Sequence, residues 1–416
     1  MQPVILKAYK FRLDLTCEQS ARMTELVGCA RWAWNKGLDR CLKLLDSGER
    51  IPGQTAITYW VKEFRDNPEH AFLKTSYTDN LQQKLRDLSL AWQRYFDPKL
   101  EASRPVFKKK HVDSDNSIRF VNFSKYCKID NRRVKLPGGL GWCRFRKSRN
   151  IAGKIKNCTI TRNAGHWFIS FQVEQKVEQL AHPSTREVGI DMGVAKFVTL
   201  SDGTSIKPLN IYRKYEQRLA KEQRRLAKKV KFSNNWRKQK QRITRLHSKI
   251  AHCRNDFLHK ASTEISKNHA MIVIEDLRTK NMSRSAKGTI DAPGTNVKAK
   301  SGLNKSILDQ GWYEFRRQLE YKQAWLGGDV LAVPAHHTSQ TCPACDHVSP
   351  DNRKTQANFT CVQCGHQDNA DRVAAINILA RGRRVLACGE SSLDDSMKQE
   401  PVLPREGLAP SAAIAA

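Results

Sequence analysis

Two sets of residues in this chain have the types and spacing to do chemistry. Cys342-x2-Cys345 and Cys361-x2-Cys364 place two CxxC pairs fifteen residues apart, the arrangement by which two facing turns offer four thiolates to one tetrahedral Zn²⁺. Four protein ligands leave no open position, so this metal folds its site and takes no part in a reaction. A redox CxxC or a chance grouping of buried thiols explains one such pair more readily than two. The second set is acidic. Asp371 stands seven residues after the last cysteine, at the head of the run RVAAINILARG. Alone it reads as an ordinary helix N-cap. Asp191 lies near the end of the apolar stretch VGID, and Glu275 ends the apolar stretch MIVIE. Three carboxylates brought to one edge cannot all stay ionised without cations. Hard oxygen ligands suit Mg²⁺, and two such ions roughly 3.5–4 Å apart activate water and stabilise the leaving oxygen at a phosphodiester.

The elements that must bring those acids together are legible in the pattern. Val188–Gly193, Phe197–Gly203 and a short stretch near Ile206 predict an antiparallel meander with an Asp-Gly turn. Long basic helices are expected over Ile211–Val230 and Asn235–Lys267; the second carries Trp236, Ile243, Leu246, Ile250, Cys253, Phe257, Ala261 and Ile265 at helical spacing. Met271–Leu277 predicts a buried strand, with Asp276 facing away from Glu275. Ser283–Gly302 reads as a mobile loop. A helix marked by Trp312, Phe315 and Leu319 follows, then a strand over Asp329–Val333, the cysteine ribbon, and the Asp371 helix, ending near Gly382. Three meander strands, a helix, a buried strand and then helix-containing elements are the order of an RNase H-like α/β fold, in which the strand carrying the second acid lies beside the first.

Upstream, AYKFRL alternates apolar and basic residues as a strand does. Thr16 and Gln19 signal a capping box ahead of Met23, Leu26, Ala30, Trp34, Leu38 and Leu42. Further helices are expected over Thr55–Phe64 and Asp79–Phe96, with Trp32 and Trp34 in the core rather than free for stacking. After the basic run Phe107–His111, short strands are expected over Ser117–Phe123, Arg133–Leu136, Trp142–Phe145, Lys154–Thr161 and Trp167–Val173, separated by turn residues. The opening strand should pair with them in a β-barrel-like domain, with the helices inserted between.

With 416 residues the chain holds two or three domains. A formal net charge of +32 points to a polyanionic partner, since lysine and arginine displace counterions from phosphates. No apolar run reaches the roughly 18 residues of a membrane span. The opening MQPVILKAYKFRL has no signal-peptide core, so a cytoplasmic, nucleoid-associated protein is expected. The other eight cysteines are scattered singly, as small core or surface thiols in a reducing compartment.

KAYKFRL, GIDMGVAKFVTLSDG, IVIEDL, LNKSILDQGWYEF, TSQTCPACDHVSPDNR and FTCVQCGHQDNADRVAAINIL together resemble the TnpB (OrfB) proteins of bacterial insertion sequences, relatives of type V CRISPR effectors. The likeness runs from about residue 4 to 382. It implies a RuvC-like nuclease domain over 183–340 and 366–384, with Asp191, Glu275 and Asp371 as its catalytic, Mg²⁺-binding acids. It implies a zinc ribbon over 341–365, a wedge domain over 1–15 and 112–182, and a helical recognition module over 16–111, leaving 385–416 as a disordered tail. Val373 stands where the family often has Asn, and Asn377 is retained. The implied activity is RNA-guided cutting of double-stranded DNA beside a short flanking motif, by a monomer carrying a transposon-derived guide RNA. Two rivals differ in class: a guide-directed repressor that binds without cutting, and a conventional transposase joining ends without RNA.

Overall fold

A computed structural model of the chain describes residues 4–110, 116–176 and 181–388. They fall into two compact units, the described parts of Met1–Ala181 with Asn210–Phe257, and of His182–Leu209 with Leu258–Ala416.

The first unit begins with β1 (Val4–Asp14), which buries Phe11 and Leu13 and leaves Lys10 exposed. The capping box forms: the Thr16 hydroxyl accepts from the Gln19 amide and Gln19 Oε1 accepts from the Thr16 amide, both at 3.2 Å. It opens α1 (Cys17–Asp46). Helices α2 (Gln54–Asp66) and α3 (Thr78–Phe96) pack on it around Trp34, Leu38, Trp60, Leu85 and Trp92. Trp32 is half-buried against the edges of Phe64 and Phe72, so both tryptophans pack. The 3-10 helix Pro68–Thr75 has no counterpart in the sequence reading.

Seven strands form one antiparallel sheet. They are β1 with β2 (Ser117–Phe120), β3 (Lys128–Asp130), β4 (Arg133–Leu136), β5 (Gly141–Phe145), β6 (Lys154–Asn163) and β7 (His166–Lys176), in the order β2-β6-β7-β1-β5-β4-β3. The opening strand sits in the middle, pairing Phe11 with Ile169 and Leu13 with Phe145. Phe11, Phe145 and Phe171 fill the core between the two arms. Among the described residues no ladder joins β2 to β3, so the expected barrel-like sheet stays open. The strand expected over Ser117–Phe123 stops early, because Asn122 takes φ +52° and turns the chain into the short helix α4 (Phe123–Tyr126). The unit also holds α5 (Ile211–Ala227) and the first part of α6 (Asn234–Asn268), joined through Leu219, Ile243 and Leu246.

In the second unit β8 (Glu187–Asp191), β9 (Val198–Leu200) and β10 (Ser205–Ile206) make the antiparallel meander. The fully buried β11 (Met271–Glu275) runs parallel to β8, and β12 (Asp329–Val333) parallel to β11, giving the order β10-β9-β8-β11-β12. Between β11 and β12 come α7 (Thr279–Met282), α8 (Val297–Gln310) and α9 (Trp312–Leu326). Much of the loop expected over Ser283–Gly302 is therefore ordered. Gly288 bridges Pro293, α8 starts at Val297, and the Asn304 amide donates to the carbonyls of Ser283 and Arg284, both at 3.0 Å. The hairpin β13 (Asn358–Thr360) and β14 (Gln367–Asn369) leads into α10 (Ala370–Cys388).

That last helix runs past Gly382 rather than stopping there. Gly382 is a contact residue: a Cβ on it would lie 2.5 Å from Val273 of β11. Residues 385–388 of the expected tail are thus helical, and 389–416 lie outside the described residues. No described helix is long and apolar enough to cross a membrane.

Candidate active site

Parallel pairing decides where the first two acids go. Ile190 of β8 faces Ile274 of β11, so the next residue of each strand, Asp191 and Glu275, emerges at the same end of the sheet. The third acid arrives by helix packing. A Cβ on Gly189 would stand 2.1 Å from the Ala375 carbonyl oxygen, and Gly382 meets Val273 as closely. These two glycines let α10 lie directly on β8 and β11. Its first turn, carrying Asp371, then faces the edge where the strands end. Asn369 caps that turn by accepting from the Asp371 amide at 3.2 Å.

The electrostatics show that the acids share one field. Burial, followed by the charges of Glu275 and Asp371, pushes the Asp191 carboxyl up to about 7, against the pull of Arg353 and Lys196. Burial also raises Glu275, which is 8% exposed. The Thr338 hydroxyl opposes this by donating to Glu275 Oε1 at 2.8 Å. Lys196 and Arg353 each lie 3.5 Å from an Asp371 oxygen. Asp276 turns away, as alternation along a strand requires, and pairs with Arg316.

Four positions that hold this site were not picked out as site residues from sequence. Thr338 and Arg353 come from the segments flanking and joining the two cysteine pairs, and Lys196 from the turn after β8. Asn377, noted only as retained, donates to the carbonyls of Thr338 and Thr341 at 2.7 and 2.8 Å, so α10 fixes the loop that orients Glu275. The one available signal was the proximity of Thr338 and Arg353 to the ribbon motif.

The cysteine pairs form two matching knuckles. Cys342 N–H donates to the His347 carbonyl and Cys361 N–H to the His366 carbonyl, both at 2.9 Å. The residue after each second cysteine is left-handed, Asp346 at φ +58° and Gly365 at φ +74°. The four sulfurs lie within 4.8 Å of one another, with Cys342–Cys364 and Cys345–Cys361 at 3.6 Å. Tetrahedral zinc with Zn–S of 2.3 Å sets its sulfurs about 3.8 Å apart, so the quartet fits that ion. Among the described residues it is the one cluster of metal-ligating groups drawn this tight; the three carboxylates stand further apart. Val373 is fully buried beside Cys342, Phe359, Cys361 and Ala370. The departure at that position therefore belongs to the ribbon's core.

A relative from Escherichia coli K12, named "Putative RNA-guided DNA endonuclease InsQ", is 48% identical over 397 residues, covering 95% of this chain and 97% of its own. The chain belongs to the TnpB (OrfB) family. A "Putative RNA-guided DNA endonuclease" of Streptomyces pristinaespiralis is 31% identical across 98% of this chain and 99% of its own. The endodeoxyribonuclease Cas12f1 of Sulfoacidibacillus thermotolerans is 26% identical over 51% of the chain and 49% of its own. Three family descriptions match: "Probable transposase" (OrfB_IS605) over residues 170–286, "Cas12f1-like, TNB domain" over 312–378, and "Helix-turn-helix domain" over 1–50. In this member the last region is a strand followed by one 30-residue helix.

Proposed function

We propose that this protein is an RNA-guided DNA endonuclease, and that Asp191, Glu275 and Asp371 are its catalytic metal ligands. The observation that carries the reading is their convergence: two neighbouring parallel strands and one helix bring three carboxylates to a single sheet edge, where burial, then the charges of Glu275 and Asp371, raises the Asp191 carboxyl. The strand order fits an RNase H-like, RuvC-type nuclease domain. Four thiolates at zinc-like spacing support a structural ribbon at Cys342, Cys345, Cys361 and Cys364. We assign the wedge, recognition, nuclease and ribbon segments to the boundaries given above, and the working form to a monomer with guide RNA.

Asp191, Glu275 and Asp371 would hold magnesium, which would supply Lewis-acid activation of water and charge neutralisation at the leaving oxygen. The protein's own groups prepare that site. Thr338 holds Glu275 Oε1 by a hydrogen bond at 2.8 Å, which fixes the carboxylate's orientation. Lys196 and Arg353 each stand 3.5 Å from an Asp371 oxygen, and we assign the Arg353 guanidinium to offset charge that accumulates on a phosphate oxygen. Guide RNA reads the target by base pairing, and the basic surface holds the phosphates of both nucleic acids.

The test is Asp191→Ala in the guide-loaded complex. Cutting should disappear while target binding stays within about twofold of wild type; unchanged cutting would contradict the assignment. The repressor reading gains nothing from Val373, whose side chain lies in the ribbon core.

A further inference from the structure

A slot of about 230 Å³ opens beside Glu275, walled by Met192, Trp312, Tyr313, Arg316 and Arg317. Its walls are set by packing within the second unit. Gly311, at φ +73°, turns the chain from α8 into α9. Trp312 is then buried, Phe315 is fully buried with its ring edge-on to Phe197 at 4.9 Å, and Leu319 is buried below. These contacts fix the helix, and the position next to Trp312 is turned about 100° around it, away from that buried stripe. That position is Tyr313, 74% exposed at the lip of the slot.

The two arginines decide what the slot can hold. Arg316 is pinned between Asp276 and Glu320, and Arg317 donates twice to Glu314 at 2.8 Å. Both guanidinium charges are already answered by carboxylates, so the slot is poorly suited to clamp a phosphate. It offers instead a free aromatic face with polar, nearly neutral walls. A nucleobase fits that description. A base within a duplex has both faces covered by its neighbours, so only an unwound strand can present one.

We propose that Tyr313 is a stacking platform for an unpaired base of the target DNA, next to the phosphate presented to Asp191, Glu275 and Asp371. The proposal rests on the nuclease reading and adds to it a positioning residue and a strand state. Stacking of this kind tolerates any base, as guide-directed cutting at arbitrary sequences requires.

The test uses the guide-loaded full chain with target DNA carrying single 5-iododeoxyuridines along either strand. Photoactivation joins that base to an aromatic ring stacked on it. One position should crosslink to the peptide containing Tyr313. Tyr313→Ala and Tyr313→Leu should lose that crosslink, and Tyr313→Phe should keep it. Cleavage at limiting target should fall about tenfold in the Ala and Leu variants and recover with Phe. No crosslink at any position, or full-rate cleavage by Tyr313→Ala, would overturn the subsite. A crosslink in a wild-type complex that never cuts would keep the subsite and overturn the nuclease reading instead.

Discussion

At the scale of single residues, the site is a compromise between burial and charge. Burial, followed by the charges of Glu275 and Asp371, raises the Asp191 carboxyl to about 7. A raised carboxyl binds a proton more tightly in the folded state than in the unfolded chain. Stability without divalent metal should therefore fall as pH rises from the ordinary carboxylate range, 3.8, through about 7. Asp191→Asn removes the ionisation. In EDTA at pH 8 it should melt about 5 °C above wild type, and the gap should narrow at pH 5, closing only near 3.8. Thermal melts at the two pH values check this, and a gap independent of pH would mean that the carboxylate is not strained by its neighbours. Added Mg²⁺ should shrink the gap at pH 8, since cations stabilise the wild-type charge.

At the scale of elements, the central device is α10. It rests on β8 at Gly189 and on β11 at Gly382, presents Asp371 in its first turn, and reaches the ribbon through Val373 and the loop before it through Asn377. Ribbon and acid are thus one structural piece. Cys342→Ser should lose bound zinc and loosen the start of α10, visible together as lost metal content and faster amide exchange there. Val373→Asn should destabilise the ribbon by about 1–3 kcal/mol, because it puts an amide among Cys342, Phe359 and Cys361. Unchanged melting in that variant would show that the pocket accommodates the amide.

The strands and long helices were legible because each carries a period, a cap or a turn: Thr16 with Gln19, the apolar run of β11, the alternation in β7. Asp191 and Glu275 stood out by their places at strand ends, and Asp371 by its place at a helix start. What periodicity does not encode is tertiary. Gly382 looks like a stop signal until Val273 is seen against it, Asn122 looks like part of a strand until its positive φ is known, and Thr338 and Arg353 have no pattern of their own. The left-handed Asp346 and Gly365 show the same point inside the ribbon, where spacing named the ligands but not the turns that aim them.

At the scale of the whole molecule, a net charge of +32 exceeds anything the proposed acid site and the cysteine ribbon require. That surplus belongs to phosphate backbones. Affinity for guide RNA should fall by about a thousandfold between 50 and 200 mM salt, as filter binding across a salt series will measure. A fall of less than about tenfold would mean that few phosphates are held.

The most direct measurement of the central claim is plasmid cleavage by the protein co-expressed with its transposon-end RNA. The plasmid carries the guide's match beside randomised flanks, with Mg²⁺ or EDTA, and with wild type or Asp191→Ala. The account predicts cutting only when guide match, Mg²⁺ and Asp191 are all present, and only beside one short flanking motif. Cutting that survives Asp191→Ala, or strand joining that survives RNase treatment, would contradict it.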